Sequence, residues 1–227
     1  MKNFDEFKKV IDQLESTRAH KLDGEAFKLE NSFKIMVINY GYLLKVTTDI
    51  PTYNVEQREL KEKHMTEAAR CFVNFLTSAI AFKDHSRRFI DRLYDSRDSA
   101  LDGKYQKKIN EEFAGDPITG IIEALRNIYA HDEIPPVGFE SRDVNRSFVT
   151  RFVVFVKEID VKSKWFEKGL AYAESHPEDT YDVQAITEAY VEKCIFPWLM
   201  TTQGDLHKPE FDEYEKLRKR ARDLFNE

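Results

Sequence analysis

The sequence predicts a mainly α-helical fold that includes one short β-hairpin or strand pair and ends in a helical C-terminal elaboration. Apolar residues recur at helical spacing over long stretches, and only 8 Gly and 7 Pro interrupt the 227 residues. One segment after residue 142 is instead rich in β-branched and aromatic side chains. Seventeen Phe residues provide ample apolar surface, and a chain of this length can bury a sizeable core.

Three amphipathic segments predict the N-terminal helices. The first runs from Phe4 to Ala19 and is followed by a turn at Asp23-Gly24. The second runs from Glu25 to Val46 and stops before Ile50-Pro51, because the residue preceding a proline disfavours the helical region. The third runs from Asn54 to Tyr94 without an internal Gly or Pro.

The fourth main helix is marked at both ends. After a short helical piece over Tyr105 to Phe113, Asp116 is placed to act as the N-cap and Pro117 as the first helical residue. Pro135-Pro136 ends the helix shortly after His131.

The pattern changes beyond Arg142, where Phe148 to Val161 predict one or two strands. Helical periodicity returns over residues 164–174, 182–200 and 208–225. We therefore expect a helical bundle over residues 1–145 and an elaboration over residues 146–227 that packs on the same core.

Composition narrows the classes of function. A formal net charge of −6 argues against a protein that coats nucleic acid, because phosphate binding depends on clustered Lys and Arg. Any contact with RNA is expected to be local.

The cysteine pattern and the N-terminus suggest the compartment. Cys71 and Cys194 lie far apart in apolar helical patterns and predict buried thiols in a reducing compartment. The charged N-terminal run and the lack of a long apolar stretch predict a cytoplasmic protein without a membrane span.

Neither a metal nor another cofactor is expected. The histidines other than His131 have no second His or Cys at the spacing of metal ligands, and the chain contains no glycine-rich phosphate loop.

The helix predicted at Pro117 has two contrasting faces. Its apolar residues fall in one arc, whereas Gly120, Ala124, Asn127 and His131 share the opposite face at spacings i, i+4, i+7 and i+11. Small residues on an outer face indicate close approach of another backbone. That backbone is either a second copy, giving a homodimer seam through this face, or a neighbouring segment of the same chain, and periodicity does not decide between them.

The end of this helix, Arg126-Asn127-Ile128-Tyr129-Ala130-His131, resembles the R-x4-H signature of HEPN domains. The similarity extends to the polar residue directly after the Arg and to the setting LRNIYAHDEIPP. It covers roughly residues 25–136.

The resemblance implies a helical bundle that forms a homodimer, brings two copies of the motif together and cleaves single-stranded RNA without a metal. Members of this family act as toxins or phage-defence effectors, so an antitoxin or a defence partner is also implied. Other members have lost catalysis and only bind RNA or nucleotides, which gives the alternative of a catalytically silent binding module.

The residue types suit this chemistry. RNA carries its own nucleophile, the 2′-hydroxyl, so the enzyme needs a group that moves a proton near neutral pH and a fixed positive charge on the phosphate. We assign these roles to His131 and Arg126 respectively, and we expect Asn127 to orient the imidazole or to bind RNA.

Positions i and i+5 lie about 140 degrees apart on a helix, so fraying of the helix end or a second protomer must bring Arg126 and His131 together. The alternative interpretation is that Arg126 pairs with a local carboxylate and that His131 merely caps the helix.

Overall fold

The computed structural model describes residues 4–93, 107, 116–144, 147–160, 164, 166–195 and 208–226. The prediction of a mainly helical fold with a small antiparallel sheet is confirmed. Over the described residues, the helices are α1 (Phe4–Ser16), α2 (Arg18–Thr47), α3 (Arg58–Leu93), α4 (Pro117–His131), α5 (Leu170–Ser175), α6 (Val183–Tyr190) and α7 (Lys208–Asn226), and the strands are β1 (Val137–Val144), β2 (Ser147–Phe155) and β3 (Thr180–Asp182).

The break between the first two helices falls at Thr17 and not at Asp23-Gly24, so the predicted turn is wrong. The Thr17 hydroxyl accepts a hydrogen bond from the backbone N–H of His20 at 3.1 Å and caps α2. Gly24 lies inside α2. A single glycine costs a helix only about 1 kcal/mol, which a 30-residue helix tolerates.

Helices α2 and α3 form the long hairpin at the centre of the fold. A short 3-10 turn, Val55–Gln57, precedes α3, and Asn54 caps it through a reciprocal capping box with Gln57. Tyr53 in the connection donates its hydroxyl hydrogen to His64 Nδ1, and His64 Nε2 contacts the carbonyl of Val46 at 2.7 Å. The connection is thus tied to both helices.

The sheet is larger than the sequence predicts. Strand β1, which we did not predict, pairs antiparallel with β2 from Val137–Val154 to Val144–Ser147, and β3 pairs with the other edge of β2. The expected boundary at residues 145 and 146 falls between β1 and β2.

One apolar core joins both halves of the chain. It contains Phe72 and Phe75 of α3, Ile121 of α4, Phe152 of β2 and Tyr190 of α6. Helices α1 and α7 pack on each other through a separate cluster. The short helix predicted over residues 105–113 lies outside the described residues, except for Lys107. The last part of the helix predicted over residues 182–200, residues 196–200, also lies outside them.

Candidate functional site

Helix α4 lies in the core and is fixed at both ends. Asp116 Oδ1 accepts the backbone N–H of Ile118 at 2.9 Å, as the sequence predicts for an N-cap followed by proline. At the other end the Asp132 N–H donates to the Ile128 carbonyl at 2.8 Å. The following segment is held to the sheet, because the carbonyl of Pro136 accepts the N–H of Phe155 at 2.8 Å.

The prediction of a homodimer seam through the Gly120-Ala124-Asn127-His131 face is wrong for Gly120 and Ala124. A Cβ built on Gly120 would lie 2.1 Å from the Lys168 carbonyl oxygen, and Ala124 is fully buried beside Gly169. The approaching backbone therefore belongs to the same chain. The small side chains do mark a close approach, but their partner is the segment around residues 166–171.

Where this segment meets α3 and α4, a pocket of about 640 Å³ opens. We call it the α3–α4 pocket. Gly120, Arg126 and Asn127 of α4 are among the residues that line it. Its charged lining residues are Lys83, Asp84, Arg87, Asp116, Glu123, Arg126 and Lys168.

Glu123 is the buried acid of the pocket. Its side chain is hydrogen-bonded to the ammonium groups of both Lys83 and Lys168. Burial would raise the pKa of this carboxyl, but the hydrogen bonds from the two lysines hold its pKa below its usual value. Glu123 is therefore a carboxylate at neutral pH, and its single negative charge offsets one of the two ammonium charges.

Arg126 lines the same pocket and forms no ion pair with Glu123. The side chain is half-buried, and its Nη1 donates a 3.3 Å hydrogen bond to the amide oxygen of its neighbour Asn127. Among the residues that the structure describes, no carboxylate forms an ion pair with it. The alternative interpretation, in which a local carboxylate pairs with Arg126, thus finds no support in this part of the chain.

His131 lies apart from the pocket. It is exposed in the last turn of α4 and is not among the residues that line the α3–α4 pocket. Helix α4 remains helical up to His131, so the helix end does not fray to bring the imidazole to Arg126. Within one chain the two side chains lie on different faces of α4, whereas Asn127 shares the pocket with Arg126.

Sequence reasoning missed Lys83, Lys168 and the role of Glu123. The two lysines are 40 and 45 residues from Glu123 along the chain, so no local spacing connects them. The available signal was Glu123 itself, the one charged residue on a face of small side chains.

His85, Arg87 and Arg88 form a short basic run on α3, and this run divides between two surfaces. Arg87 lines the α3–α4 pocket, whereas His85 and Arg88 line a groove between α2 and α3. Consecutive residues of a helix point in different directions, so the run does not form one basic patch.

Among the described residues, no group of three or more His, Cys, Asp or Glu side chains is placed to hold a metal ion. No helix in this part of the chain combines the length and apolar character needed to cross a membrane. Comparison with known proteins finds no matching family model, no matching curated protein and no matching solved structure.

Proposed function

We propose that this protein is a metal-independent endoribonuclease of the HEPN type that cleaves single-stranded or structured RNA at the C-terminal end of α4. In this proposal the enzyme acts in the cytoplasm as a toxin or phage-defence effector, and an antitoxin or defence protein is its partner. Arg126 holds the scissile phosphate, and His131 moves the proton. Asn127 positions the RNA or the imidazole.

The observation that carries the proposal is the state of Arg126. A half-buried guanidinium without a carboxylate partner among the described residues is incompletely compensated, because burying a charge is costly unless it is paired. A phosphate supplies the missing negative charge and accepts two parallel N–H bonds from an arginine. The pocket lining carries four cationic side chains and three carboxylates, which leaves one formal positive charge in excess.

The proposed reaction is an attack of the RNA 2′-hydroxyl on the adjacent phosphorus. His131 removes the hydroxyl proton or protonates the departing 5′-oxygen, and Arg126 stabilises the charge that develops on the phosphate. The P–O5′ bond breaks, and the products carry a 2′,3′-cyclic phosphate and a 5′-hydroxyl. Because Arg126 and His131 lie on different faces of one helix, a complete site requires the His131 of a second copy or RNA that spans both faces.

The test is cleavage of a mixed pool of single-stranded and transfer RNA in EDTA. We expect the wild-type protein to produce 2′,3′-cyclic phosphate ends and expect both His131→Ala and Arg126→Ala to lose activity. Matched controls are His176→Ala, another exposed histidine, and Arg58→Ala, an exposed arginine at the start of α3. If no RNA is cut, or if both site variants cut like the controls, catalysis at this helix end is refuted.

A second candidate function is a catalytically silent module that binds RNA or a nucleotide in the α3–α4 pocket. It is favoured by the separation of His131 from the pocket that Arg126 lines. Fluorescence anisotropy with labelled RNA distinguishes the two functions. A silent module binds without cutting and loses affinity in Arg126→Ala but not in His131→Ala.

A further inference from the structure

A groove of about 460 Å³ lies along the seam between α2 and α3. We call it the α2–α3 groove. It shares no lining residue with the α3–α4 pocket, so it is a separate candidate site. Its volume is typical of sites that bind small molecules, which combine a mostly apolar lining with a few polar groups.

The groove exists because small side chains occupy the seam. Ser32, Ser78 and Ala81 line it, and none of them is large enough to fill the space between the two helices. The buried side chains of Leu29 and Phe89 line its inner side. A ligand in the groove would therefore contact apolar surface along the base of the seam.

The two ends of the groove differ because α2 and α3 run antiparallel. A hydrogen bond of 2.8 Å between the Ser32 hydroxyl and His85 Nδ1 fixes the pairing of the helices. Lys28, one turn before Ser32, therefore lies level with Arg88, nearly one turn after His85. Ile35 lies on the other side of this hydrogen bond. Seven residues of helix separate Lys28 from Ile35, so the two ends are about 10 Å apart.

One end of the groove is cationic. Lys28 pairs with Glu25 within α2, whereas Arg88 is exposed and forms no ion pair with a carboxylate among the described residues. One carboxylate and two cations line the groove in total, which leaves one formal positive charge in excess. Arg88 carries this excess charge at the end that Lys28 marks.

The other end of the groove is uncharged. Ile35, Ser78 and Ala81 line it there, and Ile35 is 55% exposed. The Ser78 hydroxyl already donates to the Asn74 carbonyl at 2.8 Å, so it is satisfied within α3. An exposed apolar side chain at the edge of a groove is typical of a ligand site.

We propose that the α2–α3 groove binds an elongated small molecule with an apolar chain and one terminal anionic group, such as a medium-chain carboxylate. The carboxylate accepts N–H bonds from Arg88, and the chain lies over Leu29 and Phe89 towards Ile35. Burial of the chain provides most of the affinity, and the charge-assisted hydrogen bonds set the orientation. A ligand with several phosphates fits less well, because only one positive charge is in excess. The proposal does not depend on ribonuclease activity.

The test is isothermal titration of the full chain with decanoate and with 1-decanol, at concentrations below those at which either ligand aggregates. The two ligands share the same chain and differ in the charge of the head group. We expect decanoate to bind about 10-fold more tightly than 1-decanol, since a hydrogen bond to a charged group is stronger than one to a neutral group.

Two variants examine the two ends separately. Arg88→Gln should weaken decanoate binding by about 10-fold and leave 1-decanol binding unchanged. Ala81→Leu should weaken the binding of both ligands, because the larger side chain fills the groove. The matched control is Arg58→Gln, an exposed arginine at the start of α3, which should change neither affinity. Circular dichroism shows whether each variant is folded, and Arg88→Gln should fold because its side chain is exposed.

Three results would overturn the proposal. The first is a wild-type protein that does not bind decanoate. The second is equal affinity for decanoate and 1-decanol. The third is an equal loss of decanoate affinity in Arg88→Gln and Arg58→Gln, which would indicate attraction by the overall charge and not by the groove.

A second measurement fixes the place and the orientation of the ligand. Decanoate that carries a nitroxide at the end away from the carboxylate should broaden the amide resonances of Ile35 and Ala81 more than that of Lys28. Stronger broadening at Lys28 would contradict the orientation. Broadening at Gly120 without broadening at Ile35 would place the ligand in the α3–α4 pocket and refute the proposal.

Discussion

The close approach of the Lys168 backbone to α4 predicts that Gly120→Ala strongly destabilises the protein. The added Cβ would lie 2.1 Å from the Lys168 carbonyl oxygen and 3.2 Å from its carbonyl carbon. A carbon and a carbonyl oxygen normally approach to about 3.3 Å, so the two backbones must separate by about 1 Å.

The neighbouring residues oppose this separation. Phe166 is fully buried, and the Cα of Gly169 lies so close to α4 that a Cβ there would meet Ala124 and Ile121 at 3.0 and 3.2 Å. Moving the segment away exposes part of Phe166, whose full burial stabilises by about 1.5–3 kcal/mol. Overpacking adds about 1–3 kcal/mol.

Alanine also has a favourable effect at this position, because it is about 1 kcal/mol better than glycine inside a helix. The net loss of unfolding free energy is therefore about 2–4 kcal/mol. Chemical denaturation at fixed protein concentration measures it.

The matched control is Gly41→Ala in α2, where an added Cβ meets nothing within 4 Å. Here only the helix propensity changes, and we expect a gain of about 0.5–1 kcal/mol. If Gly120→Ala is as stable as Gly41→Ala, the Lys168 backbone does not cover this face in solution, and the homodimer seam through Gly120 becomes possible again.

Gly169→Ala should lower the free energy of unfolding by about 1–2 kcal/mol, because its tight contacts leave less room than a methyl group needs. An unchanged midpoint in denaturant titrations would contradict this packing. Glu123→Gln should lose about 1–3 kcal/mol at pH 7, because Lys83 then lacks its counter-charge. The pKa of Glu123 is lowered in the folded protein. Its contribution to the free energy of unfolding is therefore present above the ordinary pKa of 4.5 and is lost as the pH falls through the folded pKa. The difference in stability between Glu123→Gln and wild type should shrink in acid. Tyr53→Phe should lose about 0.5–1.5 kcal/mol by removing the hydrogen bond to His64, and thermal unfolding that matches wild type would show that this bond contributes nothing.

The sequence predicted the elements that depend on local chemistry. Asp116 and Pro117 mark the start of α4, since an N-cap and a first-turn proline act within three residues. The end of α2 was also close to its predicted position, because Pro51 restricts the residue before it.

Errors arose where two local signals competed. Asp23-Gly24 suggests a turn, but the Thr17 cap and the apolar face of a long helix outweigh the cost of one glycine. Strand β1 was missed because Gly138 and charged residues such as Glu140 weaken the β pattern, while its eight pairs with β2 form through tertiary structure.

The candidate site was predicted only in part, because a sequence pattern reports contacts within a short segment and not contacts between distant segments. Arg126 and Asn127 could be selected because they belong to one short motif, and both line the pocket. Lys83 and Lys168 could not, since their contact with Glu123 exists only after three distant segments have packed. A helical wheel also cannot distinguish a face covered by the same chain from one covered by a second copy.

The segment around Lys168 makes three contacts with α4. Its carbonyl approaches Gly120, its ammonium group compensates Glu123, and its next residue, Gly169, packs on Ala124. The contact that rules out a seam at Gly120 therefore also builds one wall of the pocket that contains Arg126. A chain shortened after residue 145 would lack this wall, lose β2 from the hairpin and expose the buried face of α4. Activity or RNA binding must therefore be measured on the full chain, because the site depends on residues from both halves of the sequence.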